Sequence, residues 1–159
     1  MAFLGAMILA GCGNNISDQD RQFMAAAGSA GMMEVVIGQM AAAKGVRPDV
    51  IVYGKEMVAQ HTQFNNDFHN LLKKLGETVP DTMNMYDQNL VDSVKKASAK
   101  DFDNIYINIV YSDHEDAVKQ FEKAISIAKN PDYLDFLKNG LTIVTHHFEM
   151  AEKLKAATH

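Results

Sequence analysis

Five side chains hold the chemistry this chain could perform: Glu34, His61, Asp113, His114 and His147. Each lies in or beside an otherwise apolar helical stripe, where burying even a neutral polar group without a partner costs about 2–7 kcal/mol. The sharpest case is residues 101–130, DFDNIYINIVYSDHEDAVKQFEKAISIAKN. At about 100° per residue, Phe102, Tyr106, Ile109, Val110, Ala117, Phe121, Ala124 and Ala128 share one face. Asp113 falls in the middle of that face and His114 on its shoulder, so other helices must supply polar partners. One carboxylate and three imidazoles suit a single Zn, Cu, Fe or Ni ion. Asp113 would be a further ligand or an acceptor that orients an imidazole. A metal-free network, with Glu34 accepting from imidazoles and Tyr106, meets the same requirement.

Four long helices are expected to position these groups. The first runs from Ser17-Asp18-Gln19-Asp20, which resembles a capping box with Asp in place of Glu, to about Lys44 before Gly45. Phe23, Ala27, Ala30, Ile37 and Ala41 form its stripe, with Glu34 at the centre. The second starts at Pro48-Asp49 and ends near Leu75 before Gly76, with Val50, Tyr53, Met57, Phe64, Phe68, Leu71 and Leu75 inward and His61 near the stripe's centre. Residues 77–100 are irregular, with a short helix expected within 86–97. Ser98-Ala99-Lys100-Asp101 reads as a second capping box, opening the third long helix, which ends near Lys129. The fourth begins at Asn130-Pro131-Asp132 and continues to about Ala156, with Leu134, Leu137, Leu141, Val144, Phe148 and Ala151 inward and His147 on the shoulder. His69 and His146 point away from their stripes.

Short first and last connections with a long middle one predict an all-α, ferritin-like four-helix bundle over residues 18–157. A plain up-down bundle is the alternative. At 1.5 Å rise per residue, Glu34 and His61 stand roughly 18 and 22 Å from the turn near residue 46, and His114 and His147 roughly 24–26 Å from the turn near residue 130. All four therefore fall near mid-height. A ferritin-type di-iron centre needs Glu three residues before two of its histidines. Val58 and Val144 occupy those positions, which argues against oxygen-activating di-iron chemistry.

Composition excludes other classes. A net charge of −5 without a basic stripe argues against nucleic-acid binding. There is no phosphate loop and no nucleophile elbow, so a binding role is favoured over an enzymatic one. The ten methionines read as flexible packing in preference to a copper tract.

The one cysteine, Cys12, closes the apolar run MAFLGAMILAGC. Leu9-Ala10-Gly11-Cys12 matches a lipobox, in which the thiol takes a diacylglycerol and becomes the first residue after cleavage. Residues 1–12 are thus expected to be a lipoprotein signal peptide and 13–17 a polar tether. The run is shorter than the roughly 20 residues a spanning helix needs and lacks a basic leading segment, so the true start is expected upstream of Met1. Gly13, in place of Asp, favours an outer-membrane destination facing the periplasm. An unlipidated hydrophobic N-terminus is the alternative.

Phe23 through Glu34 to Gly38-Gln39-Met40-Ala41, then Met57-Val58-Ala59-Gln60-His61, Phe102-Asp103 with Tyr106, Asp113-His114-Glu115, and His147 with Ala151 and Leu154 resemble one bacterial family. It is the uncharacterised exported or lipoprotein family often labelled "predicted outer membrane protein", a domain of unknown function. The resemblance spans Asp18 to Leu154 and implies a ferritin-like fold and an envelope location, with no established activity. The family pattern usually has Asp-His where Gln60-His61 stands, which removes one carboxylate, and Leu-Pro where Leu141-Thr142 stands. Two functions remain: a metal-binding or metal-handling envelope lipoprotein, or a non-catalytic structural or stress-response module with a metal-free polar core.

Overall fold

A computed structural model describes residues 15–157; Cys12 and the apolar run before it lie outside them. Local signals set most helix ends. Helix α1 is Asp18–Lys44. The Ser17 hydroxyl accepts from the Asp20 N–H at 3.1 Å, and the Asp20 carboxylate accepts from the Ser17 N–H at 2.8 Å. The expected capping box is therefore present with Asp as its acid. Helix α2, Pro48–Leu75, begins with proline in its first turn and ends at Gly76, whose φ of 67° is the left-handed conformation glycine favours. A short helix α3, Met85–Lys96, is capped by Asn84. Helices α4, Phe102–Ile127, and α5, Pro131–Ala156, complete the chain. No strand occurs among the described residues.

The capping box expected at Ser98–Asp101 does not form. Ser98 donates its hydroxyl to the Asp101 carboxylate at 2.6 Å, Asp101 caps nothing with its side chain, and residues 99–101 make a turn. The acid that matters lies two residues on. Asp103, buried, accepts from the Val46 N–H at 3.0 Å and the Arg47 N–H at 2.8 Å. It thereby satisfies backbone donors just ahead of α2 and ties α4 to the α1–α2 connection.

Short connections at 45–47 and 128–130 pair α1 with α2 and α4 with α5; α2 also packs on α5 and α1 on α4, which closes a ring of four long helices. Helix α3 sits in the long 76–101 connection and packs on α1 and α4. The α1–α2 contact is especially close. A Cβ on Gly54 would lie 2.7 Å from the Ala41 Cβ and 2.9 Å from the Gly38 carbonyl oxygen.

Two apolar clusters fill the interior. One gathers Met33, Ile37, Val50, Tyr53, Met57, Val94, Phe102, Tyr106, Val110 and Ala151. The other gathers Met24, Phe64, Phe68, Leu72, Phe121, Tyr133, Leu137 and Val144. Helix α2 ends in the second cluster and α4 begins in the first, so the connection between them travels from one end of the molecule to the other.

Candidate metal centre

The boundary between the two apolar clusters is polar on every long helix. Glu34 follows Met33, His61 lies between Met57 and Phe64, His114 between Val110 and Phe121, and His147 between Val144 and Ala151. All four are buried, at 2%, 5%, 1% and 0% exposure. A carboxylate oxygen of Glu34 and one ring nitrogen each of His61 and His114 lie within 4.8 Å of one another. The three imidazoles stand at similar separations: ring centroids are 5.1 Å apart for His61 and His147, 5.4 Å for His114 and His147, and 5.7 Å for His61 and His114.

His147 is thus packed against the Glu34–His61–His114 triad without sharing its donor spacing. The other expected ligand, Asp113, is half-buried, and after burial the nearness of its charge is one of the causes that disfavour ionisation of Glu34. The face of α4 is rotated from the sequence expectation. His114 is central and Asp113 is on the shoulder, with Ile107 buried and Ile109 only partly so. A similar rotation on α5 brings His147 to the centre and leaves Leu134, Leu141 and Phe148 half-buried. On α1, Met24, Met33 and Gly31 are buried while Phe23, Ala27 and Ala30 lie at the margin. His69 and His146 are exposed, as expected, and His146 lies 3.1 Å from Glu56.

What distinguishes this cluster is its unmet hydrogen-bonding demand. Both oxygens of Glu34, both nitrogens of His61, both nitrogens of His147 and the Tyr106 hydroxyl have no hydrogen-bond partner in the protein. Each such buried group costs about 1–3 kcal/mol when left unpaired, and native interiors rarely concentrate them. Tyr106 does not reach Glu34, contrary to the network expected from the sequence, and the Glu34–His114 approach of 3.7 Å is too long for a hydrogen bond. His114 is oriented differently: its Nδ1 lies 2.9 Å from the Val110 carbonyl oxygen. That oxygen can only accept, so Nδ1 carries the proton and Nε2 keeps the lone pair. A backbone carbonyl holding one nitrogen of a ligating imidazole is a common way of fixing its tautomer.

The electrostatics fit a site for a cation. Burial, and then the neighbouring imidazoles, push His61 well below the ordinary histidine range. Burial lowers His114 to about 4 and His147 to about 3. The rings are therefore neutral at pH 7, the form that ligates metal. Burial and the nearby Asp113 carboxyl hold Glu34 well above the usual carboxylate range, a position that a bound cation would reverse.

Around this centre lies a support that sequence reasoning missed. Buried Asp87, on α3, accepts from the Ser29 hydroxyl of α1 and from the Asn84 side chain at 2.9 Å, while Ser29 in turn accepts from the Asn84 N–H at 2.9 Å. These bonds dock the start of α3 beside Asp113. The only signal in the sequence was Asn84 three residues before Asp87, a helix-start pattern that says nothing of Ser29.

The family described as Domain of unknown function (DUF4142) matches residues 10–154, nearly the whole chain and all four cluster residues. The chain belongs to that family. No curated protein and no solved structure matched it. Family membership names no activity, and the DUF4142 description leaves the chemistry to be read from the site. No helix among the described residues is long and apolar enough to cross a membrane.

Proposed function

We propose that this DUF4142 protein is a bacterial envelope lipoprotein that binds or handles a single transition-metal ion between the helices of a ferritin-like four-helix bundle. Glu34, His61 and His114 are the core ligands and His147 is the donor that joins them. The observation that carries the reading is the triad itself: three ligand atoms within 4.8 Å, on three helices, in a buried layer where Glu34 and His61 have no hydrogen-bond partner in the protein. Two or three imidazoles and one carboxylate form a borderline donor set suited to Zn, Fe, Ni or Cu. The connection that crosses from one end of the molecule to the other supports the ferritin-like order over a plain up-down one. The absence of a second carboxylate pair on these helices keeps the site mononuclear.

One observation favours the metal-free alternative, a structural or stress-response module. With Glu34 held protonated and the imidazoles held neutral, burial alone keeps charge out of the core. Metal analysis of untagged protein, followed by melting of the chelator-stripped form with added Zn²⁺, Cu²⁺, Ni²⁺ or Fe²⁺, separates the two. A site that binds only the folded state raises stability by RT ln(1 + [L]/Kd), and His61→Ala, His114→Ala and Glu34→Gln each abolish that gain. A wild-type melting temperature indifferent to all four ions decides for the structural reading.

The envelope assignment rests on the Leu9-Ala10-Gly11-Cys12 lipobox. Cys12→Ser in the full-length gene product should release the folded domain from the membrane fraction, since the lipid is its proposed anchor. Identical fractionation with and without Cys12 would refute it.

A further inference from the structure

A cleft of about 170 Å³ opens between α1, α3 and α4, with Phe23, Ala30, Asn84, Tyr86, Asp87 and Asp113 among its walls. A smaller cavity of about 50 Å³ lies deeper and is lined by Glu34, His61 and His114. The two share Ala27, Ala30, Asp113, Ala117 and Phe121 as lining, so they meet at a common wall. Three of those five residues are alanines, which leave room between α1 and α4 where larger side chains would close it.

We infer that this cleft is the capture and entry route for a hydrated divalent cation, and that Asp113 is the positioning carboxylate that passes the ion from the surface to the Glu34–His61–His114 triad. The inference rests on the metal-binding reading of that triad. Its geometry is specific. Asp113 is the one ionisable side chain on the walls of both cavities. Behind it stands Glu34, 2% exposed, with neither oxygen partnered, and His61 with neither nitrogen partnered. Beside it on the cleft wall stands Asp87, 4% exposed and fixed by Ser29 and Asn84. Asp87 on the cleft wall, Asp113 on the shared wall and Glu34 in the inner cavity form an oxygen-donor path, along which a cation exchanges hydration water for protein oxygen before it meets the imidazoles. Wall carboxylates of one sign also raise local cation concentration and the rate of entry. The partial exposure of Asp113 follows from this role, because a residue on the shared wall faces both cleft and site.

The test separates entry rate from equilibrium affinity. Co²⁺, whose visible bands report imidazole coordination, is mixed by stopped flow with the chelator-stripped full-length protein, and its affinity is measured independently by titration. Asp113→Asn should slow loading at least tenfold and weaken the equilibrium affinity less than threefold. Gln120, exposed and on the outer cleft wall, gives variants that do not threaten folding. Gln120→Lys should slow loading and Gln120→Glu should speed it, both effects fading at high salt, with affinity unchanged. If Asp113→Asn costs as much affinity as His61→Ala, Asp113 is a ligand and its role as a passing carboxylate is overturned. If all three variants load at the wild-type rate while the wild type binds Co²⁺, the route is overturned and the metal site stands. If the wild type binds no Co²⁺ or any other divalent ion, both readings fall together.

Discussion

His61 of α2 and His147 of α5 stack with ring centroids 5.1 Å apart and planes inclined by 29°. Neither ring has a hydrogen-bond partner in the protein for either nitrogen, so the pair brings two neutral imidazoles face to face in a buried interior. A charge on one would be felt by the other at short range and low dielectric. The contact therefore tolerates neutral rings, or rings sharing a cation, far better than a protonated pair.

That relationship fixes a pH dependence. His61, His114 and His147 all have folded-state values below the ordinary 6.5, with His114 at about 4 and His147 at about 3. Between those values and 6.5 the unfolded chain binds more protons than the native one, so stability falls as pH falls through that window. Glu34 acts in the opposite sense: its raised value makes its contribution disappear as pH climbs above 4.5. The chelator-stripped protein should lose melting temperature from pH 6.5 to 4.5. Glu34→Gln should steepen that loss by removing the opposing term, by up to ~1.4 kcal/mol per pH unit. Equal slopes in the two proteins would contradict the assignment.

Metal binding should release protons. The carboxylate form of Glu34 is the ligand, yet burial keeps that group protonated when no cation is near. Affinity for Zn²⁺ should therefore rise with pH through the raised range of Glu34. Calorimetric titrations in buffers of different ionisation enthalpy should show proton release on binding within the raised range of Glu34. Asp113→Asn should release fewer protons than wild type, since after burial the Asp113 carboxyl is one of the groups that keep Glu34 protonated.

His147→Phe keeps the stack and most of the volume while removing both nitrogens. Because His147 lies outside the 4.8 Å donor triangle, recruiting it costs reorganisation that the triad does not pay. Its removal should weaken metal affinity by roughly 10–100-fold, whereas His61→Phe should abolish binding. Equal losses would place His147 in the core set.

Gly54→Ala should destabilise the protein by about 1–3 kcal/mol. The new methyl would meet the Ala42 backbone nitrogen at 2.8 Å and the Gly38 carbonyl at 2.9 Å, and backbone cannot step aside. Helices α1 and α2 would part, and Glu34 and His61 with them, so metal affinity should fall as well. Gly28→Ala is the control. Its Cβ would meet only the side chains of Phe68 and Val79, at 3.2 and 3.3 Å, so denaturant melts should place it within about 0.5 kcal/mol of wild type.

The sequence by itself determined the helices, most of their ends and the height of the polar layer. Ser17 with Asp20, Pro48, Gly76 and Asn130-Pro131 act on backbone groups within a few residues, so their effect is readable locally. The stripe of α2 was legible except for Gly54 and Leu72, because large apolar residues from Val50 to Leu75 mark one face. Only the tertiary structure decided which polar side chains converge. Asp113 and His114 are neighbours about 100° apart, and either could face inward on an isolated helix. Packing against α1 and α5 turned α4 so that His114 took the centre and Asp113 the shoulder. The same packing brought His147 fully inward and placed Asp87 against Ser29, across 58 residues of chain. Periodicity assigns a side chain to one face of its own helix; how far that helix is rotated about its axis depends on the shapes of its neighbours, and those belong to the whole fold.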